Sequence, residues 1–184
     1  MTEQQAVIKS QNGDPRAFGV LYNLHIQGVY RFIYYKTHHK ETAEDLTSLT
    51  FMKALEKIGT FNSEKASFKT WIYQIARNTV IDYYRQHHEV RDIEDIWDLE
   101  TFEDIVRDTD TRMRLEDVQK YLKTLKAEQR EVVLLRVWGN HSFKEIAEIT
   151  GKTEAACKMS FKRTIEQMRA DILLLILLLG LSVS

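Results

Sequence analysis

A chain of 184 residues with 43% hydrophobic and 29% charged side chains has the make-up of a folded globular protein, which excludes disorder, a collagen-like fibre and a disulfide-stapled mini-protein. At this length a chain folding as one unit buries roughly 70% of its unfolded surface. A single cysteine, Cys157, excludes an intrachain disulfide and a CxxC-type zinc site, and the start MTEQQAVIKS lacks the basic and apolar regions of a secretory leader. The expected location is therefore cytoplasmic.

The near balance of 26 basic and 27 acidic residues hides an uneven distribution: 11 against 9 over residues 1–90, 4 against 9 over 91–115, and 11 against 9 over 116–184. Two mildly basic blocks flank an acidic connector, a pattern that hints at nucleic-acid contact.

With one proline and seven glycines, long helices are expected. From Phe18 the positions Leu21, Tyr22, Val29, Phe32 and Ile33 recur at helical spacing on one stripe. Thr42 is expected to open a second helix, since Thr42-Ala43-Glu44-Asp45 has the form of a capping box. Along it Leu46, Leu49, Phe51, Met52, Leu55 and Ile58 cover more than one face, so this helix should pack on two sides, one of them available to a partner. A third helix is expected from about Phe68 to Tyr84, with Phe68, Trp71, Ile72, Ile75, Ala76, Val80 and Tyr83 as its buried stripe. Between stripes, Lys69, Tyr73, Arg77 and Tyr84 interleave cations with rings. That suits phosphate and base contact, and equally a solvated amphipathic face.

Residues 89–113 are expected to form an acidic linker, with Ile93, Ile96, Trp97, Phe102, Ile105 and Val106 as apolar exceptions that could dock. Leu115, Val118, Leu122 and Leu125 then mark an amphipathic helix, and Val132, Val133, Leu134, Leu135, Val137 and Trp138 one that is apolar nearly all round and so central to a small bundle.

Ser142-Phe143-Lys144-Glu145 is a second capping-box sequence, and Phe143, Ile146, Ala147 and Thr150 share one face of a short helix. Gly151 suits a positive φ at its end, and Thr153 can cap the next helix. A short helix, a three-residue glycine turn and a longer helix spell a helix-turn-helix. The second helix carries Lys158, Lys162, Arg163 and Arg169, the charge that a major-groove helix needs for phosphates.

In register, DPRAFGVLYNLHIQGVYRFI, AEDLTSLTFMKALEKI, FKTWIYQIARNTVIDYYR and, after the acidic gap, LKAEQREVVLLRVWGNHSFKEIAEITGKTEAACK resemble the extracytoplasmic-function (ECF) subfamily of bacterial RNA polymerase sigma factors. The resemblance covers about residues 14–169. It implies an all-α fold of two small helical domains: 1–88, which binds core RNA polymerase and melts the minus-ten promoter element, and 114–171, a helix-turn-helix that reads the minus-35 element, joined by the linker. Residues 172–184 form an apolar tail of unassigned role. The chain would be no enzyme and would need no cofactor, metal or small-molecule substrate. Its partners would be core RNA polymerase, promoter DNA both duplex and single-stranded, and an anti-sigma factor.

By position, Asp45, Leu46, Thr50, Phe51, Lys53 and Ala54 match the helix that binds the polymerase clamp. Phe61, Lys65, Trp71, Tyr73, Arg77, Asn78 and Asp82 match the minus-ten reader, Asn78 as the amide lining the place of an extruded base, where it offers both a donor and an acceptor. Lys158, Met159, Ser160, Lys162 and Arg163 match the minus-35 contacts. Where the family usually has Gln-Glu this chain has Ser48-Leu49, and Lys126, Cys157 and Ser160 stand for a usual proline, valine and arginine. Losing a bidentate guanidinium at 160 removes about 1–3 kcal/mol of base discrimination. The resemblance also implies that the linker threads toward the RNA exit path; a mobile tether is the other reading.

The tail ILLLILLLGLSVS has about ten continuous apolar residues, half of the roughly 20 that span a bilayer; packing on the C-terminal domain, binding an anti-sigma partner or a truncated or altered end are the readings open to it, and packing or truncation is expected over a membrane anchor. The pairs His38-His39 and His87-His88 do not suggest a metal enzyme, because neighbours on a helix point about 100° apart and no HExxH occurs. His25, on the apolar stripe, reads as a buried, hydrogen-bonded histidine rather than a ligand. A stand-alone helix-turn-helix repressor is the rival function.

Overall fold

The computed structural model describes residues 1–86, 122 and 124–181, with side chains through Arg169. The linker 89–113 and the positions Leu115 and Val118 lie outside the described residues, as does the His87-His88 pair. The described residues are helical, with no strand among them.

Helix α1, Glu3–Gln11, is capped by Thr2, whose hydroxyl accepts from the Gln5 N–H while the Gln5 side chain accepts from the Thr2 N–H. Helix α2, Pro15–Thr37, starts on Asp14, which accepts from the N–H groups of Arg16 and Ala17 at 2.9 and 3.3 Å, with proline in the first helical position. That proline costs nothing there, because a first-turn N–H has no partner in any case.

Helix α3 is Lys40–Lys57, so the expected start at Thr42 is corrected. His38 ends α2 in the left-handed region at φ 52, and His39 caps α3, its Nδ1 accepting the Thr42 N–H at 3.3 Å. A neutral imidazole carries one ring nitrogen with a free lone pair, which lets histidine take the place of the usual hydroxyl and leaves Thr42 inside the first turn. The His38-His39 pair is thereby spent on a helix junction. A 3-10 turn, Ile58–Thr60, leads to the loop before helix α4, Phe68–Gln86.

The second unit has α5 (Ala127–Val137), α6 (Phe143–Thr150) and α7 (Glu154–Leu181). The backbone of the apolar tail continues α7 as far as Leu181. Among the described residues no helix is long and apolar enough to cross a membrane.

The core of α1–α4 is built on Leu21, Val29, Ile33, Ala43, Ala54, Ile72 and Ala76, all fully buried. Each large aliphatic group among them gains about 1.5–3 kcal/mol from leaving water. The same cluster continues through Val132, Leu135, Ile146, Ile149 and Cys157 of the second unit, because α4 packs on α6. A smaller cluster joins Tyr35 to Leu122, Leu125, Val133 and Leu134, under Trp138 and Phe161. Arg130, itself buried, fastens it: Nε donates to the Leu122 carbonyl at 2.8 Å and Nη2 to that of Leu125 at 3.0 Å. The central place expected for α5 holds for Val132 to Leu135, whereas Val137 is exposed.

Candidate nucleic-acid interface

The helix-turn-helix forms as the sequence predicts. Ser142 accepts from the Glu145 N–H at 3.2 Å while the Glu145 carboxylate accepts from the Ser142 N–H at 2.7 Å. Gly151 closes α6 at φ 71, a left-handed conformation that costs glycine nothing and a branched side chain a great deal. Thr153 then accepts from the Ala156 N–H at 3.2 Å. Inside the turn Cys157 is fully buried, with the Thr150 hydroxyl 3.8 Å from its Sγ, so its thiol acts there as a small apolar group.

On α7, Lys158, Met159, Lys162 and Arg163 are exposed and Ser160 half-buried. Lys158 pairs with Glu154 at 2.6 Å and Lys162 approaches Glu166 at 3.7 Å. These exposed one-turn pairs are worth only a few tenths of a kcal/mol, so a phosphate can compete for either ammonium.

The first unit presents its candidate residues in three settings. Phe61 packs edge-on against Phe68 and tilted against Trp71, with centroids 5.8 and 5.0 Å apart, an aromatic platform beneath the loop that bears exposed Lys65. The Gln11 amide of α1 donates to the carbonyls of Ile58 and Phe61 at 3.2 and 2.7 Å, fixing where that loop begins. Along α4, Asn78 and Asp82 face solvent while Tyr73 is buried; burial pushes the Tyr73 hydroxyl up to about 12.

Tyr73 is covered by the second unit. Its ring meets that of His141 edge-on at 4.5 Å. Burial, with Lys69 nearby, pulls His141 down to about 4, so it is neutral at pH 7. Around this contact Lys69 donates to the Asn140 carbonyl at 3.2 Å, Thr70 to Glu145 at 3.2 Å and Gln74 to the Glu148 carbonyl at 3.1 Å. Glu145 is pushed up by burial, but its hydrogen bonds from Ser142, with His141 and Thr70 adding to them, bring it below the usual carboxylate range. Arg77 Nε lies 3.2 Å from Glu131. The sequence contains nothing that pairs these two halves.

Helix α3 divides its apolar residues as expected. Leu46, Thr50, Phe51 and Ala54 point into the core, while Leu49, Met52 and Leu55 form an exposed strip beside exposed Asp45. Four of the six residues matched to clamp binding are thus inward, and the outward set is partly different. The inward hydroxyls of Thr47 and Thr50 are satisfied within the helix, donating to the carbonyls of Ala43 and Leu46 at 2.6 Å each. His25 lies against Phe68 and is bonded to Glu3 at 2.9 Å, as the sequence suggests, but it is half-buried rather than buried, because Glu3 at the start of α1 draws the imidazole toward the surface.

Two family descriptions match the chain: Sigma-70 region 2 over residues 21–89 and Sigma-70, region 4 over residues 115–168. The sigma factor SigM of Bacillus subtilis, an ECF factor, is 30% identical over 82% of this chain and 91% of its own, and YlaC of the same organism 33% identical over 71% and 78%. The chain belongs to the ECF sigma factors. BldN of Streptomyces coelicolor, also an ECF factor, is 35% identical over 89% of this chain, which spans only 63% of BldN. Among solved structures, the sigma factor RpoE of Bartonella quintana, crystallised with the anti-sigma factor NepR, superposes with a TM-score of 0.68 at 25% identity, covering 83% of this chain and 94% of that one. CnrH, in complex with the cytosolic domain of CnrY, gives 0.70 at 20% identity over 92% and 96%, a likeness of fold. In sigma terms region 2 covers α3, α4 and α2 from Leu21 on, with α1 ahead of it, and region 4 takes in α5, α6 and α7 as far as Met168.

Proposed function

We propose that this sigma factor binds core RNA polymerase and directs promoter-specific initiation, reading the minus-35 element with α7 and melting the minus-ten element with α4. The observation that carries the proposal is the presence, in one chain, of both matched regions, with the helix-turn-helix cations exposed and Asn78 exposed on the same helix that carries Trp71. Polymerase performs the nucleotidyl transfer, and the chain supplies recognition without chemistry, cofactor or small-molecule substrate of its own. It acts in the cytoplasm, at the nucleoid when bound to polymerase.

The division of labour follows from the side chains. Lys158, Lys162 and Arg163 meet phosphates and base edges of duplex DNA, and Met159 supplies apolar contact such as a thymine methyl accepts. Ser160, in place of arginine, relaxes discrimination at its base. Lys65, Arg77 and Asp82 flank the single strand, Phe61, Trp71 and Tyr73 form its aromatic surroundings, and Asn78 reads an extruded base. For the clamp, the strip Leu49, Met52 and Leu55 supplies apolar area, with Asp45 and Lys53 at its border. An anti-sigma partner is supported by the complex in which the Bartonella factor was solved. A stand-alone repressor is not favoured, since it would have no use for a sigma region 2.

Run-off transcription with core polymerase tests the reading. The wild-type chain is expected to yield promoter-specific transcripts, and Asn78→Ala and Arg163→Ala to reduce them severalfold. Transcription unmoved by both changes would refute the assignments, and none with wild type would refute the function.

A further inference from the structure

Helix α1 lies ahead of the segment that matches region 2, which starts at Leu21, yet it is tied to the loop between the 3-10 turn and α4. Its Ala6 and Val7 are buried in the main core, and its Glu3 holds His25, whose ring lies 5.4 Å from that of Phe68. At the far end of α1 the Gln11 side chain reaches two carbonyls, those of Ile58 at 3.2 Å and Phe61 at 2.7 Å. Both partners are acceptors, so the NH2 of the amide faces them, with one hydrogen for each. The last carbonyls of a helix have no partners within it, and Phe61, at φ −67 and ψ 133, is where the chain leaves helical geometry. Gln11 supplies the donors that this helix end lacks.

The loop itself is a preformed turn. The Asn62 side chain accepts from the Glu64 N–H at 2.8 Å, and the Asn62 carbonyl from the Lys65 N–H at 3.2 Å. A turn tied within itself moves as a whole, so its attitude is set at its two ends. At one end Ser67 accepts the Thr70 N–H at 3.1 Å and joins the loop to α4. At the other stands Gln11. A cleft of about 450 Å³ opens between α1 and the loop, with Ser63 and Ala66 in its wall, so past the buried ring of Phe61 the turn has space on that side rather than packed side chains.

We propose that Gln11 is a positioning residue of the minus-ten reader: by holding the Ile58 and Phe61 carbonyls it sets the angle at which the 61–67 loop leaves the 3-10 turn toward α4, and thereby how sharply the chain discriminates among bases of the melted strand. This rests on the proposed function, which places Phe61 and Lys65 beside that strand, and it brings α1 into promoter recognition. Gln11 acts through the loop and touches no DNA. Recognition groups carried on a loop need support that holds them to within about 0.5 Å of their working geometry, and without its anchor at Phe61 the turn is free to swing about Ser67.

The test uses the full-length chain reconstituted with core polymerase on a promoter library whose minus-ten segment is randomised, the transcripts being sequenced. Gln11→Met keeps the length and removes both donors. Gln11→Glu keeps the shape and turns an oxygen toward the two carbonyls. Both are expected to lower the ratio of transcripts from the preferred minus-ten base to those from the other bases by about fivefold, what the loss of one ordinary hydrogen bond amounts to, while retention on tagged core polymerase stays at the wild-type level. A merely structural role would lower transcription from every library member alike and leave that ratio unmoved. Gln4→Met, an exposed change on the same helix, is expected to keep the wild-type ratio. Wild-type ratios in both Gln11 variants overturn the inference, as does an equal flattening by Gln4→Met. Should Gln11→Glu fail to fold, Gln11→Met decides alone. A wild-type chain without any minus-ten preference would refute the proposed function and the inference with it, whereas a wild-type preference that the Gln11 variants retain refutes only the positioning role.

Discussion

The imidazole of His141 lies so close to Gly139 that a methyl group at position 139 would stand 2.6 Å from ring Cδ2, and 2.7 Å from the Leu135 carbonyl oxygen. The chain leaves α5, turns through Asn140 at φ 47 and returns the His141 N–H to that same carbonyl at 3.1 Å. The turn drops the ring into the seam against Tyr73, fully buried, with neither ring nitrogen hydrogen-bonded. A turn of region 4 and helix α4 of region 2 therefore share one packed group.

Gly139→Ala is expected to destabilise the chain by about 2–3 kcal/mol, because the added methyl meets backbone on one side and a wedged ring on the other. A urea melt followed by circular dichroism checks it. A loss under about 0.5 kcal/mol would mean that the turn is free to open.

Acid should loosen the protein through the same ring. The folded state holds His141 neutral down to about pH 4, whereas the unfolded chain takes up a proton near the ordinary value of 6.5. Between those values the unfolded state binds more protons, so stability falls as pH is lowered from 6.5 to 4, by on the order of 3 kcal/mol, and this contribution then levels off. Glu145 acts in the same direction lower down: its depressed carboxyl contributes stability above the ordinary 4.5 that is lost as pH falls through its folded value. Thermal melts of wild type and His141→Met between pH 7 and pH 4 read the difference. The variant should lose the slope above pH 4.5, and an unchanged slope would acquit the histidine.

On α3, Met52 is 59% exposed between Leu49 and Leu55. Charging it by Met52→Asp is expected to change stability by less than about 0.5 kcal/mol. If the strip is the clamp surface, the same change should lower affinity for core polymerase at least tenfold, since a desolvated apolar anchor at an interface is commonly worth about 2 kcal/mol. Pull-down by tagged core enzyme measures it. Undiminished binding would move the clamp contact elsewhere on the chain.

What was legible in the sequence was whatever depends on neighbours within a turn or two. The glycine turn at Gly151, the box at Ser142, the start of α4 at Phe68 and the two-sided character of α3 all rest on i to i+4 spacing, and all are found. Helix α1 carries a readable signal in Thr2-Glu3-Gln4-Gln5, a capping-box sequence whose Thr2 and Gln5 side chains each accept the other's N–H. The start of α3 was misplaced because Thr42 has a stronger intrinsic claim to a cap than His39, and only the left-handed turn at His38 brings the imidazole into position. Matching by family position named Leu46, Thr50, Phe51 and Ala54 together with Asp45, but position says nothing of which way a side chain points. The seam was beyond reach: Arg77 and Glu131 are 54 residues apart, and no periodicity couples them.

The box at Ser142 joins both halves of the molecule, which makes it a sharper probe than most caps. Its partner Glu145 takes the Ser142 N–H on one oxygen and the Thr70 hydroxyl of α4 on the other. Removing the hydroxyl by Ser142→Ala leaves the Glu145 N–H at the start of α6 without its acceptor, a loss of about 1 kcal/mol, while Ser142→Thr retains an oxygen and should restore most of it. The loss should show as faster hydrogen exchange at the first amides of α6, with those of α1 unchanged. Faster exchange on α4 as well would mean that the cap, by orienting Glu145, steadies the seam; exchange equal to wild type at α6 would show that the Ser142 hydroxyl contributes nothing to the helix.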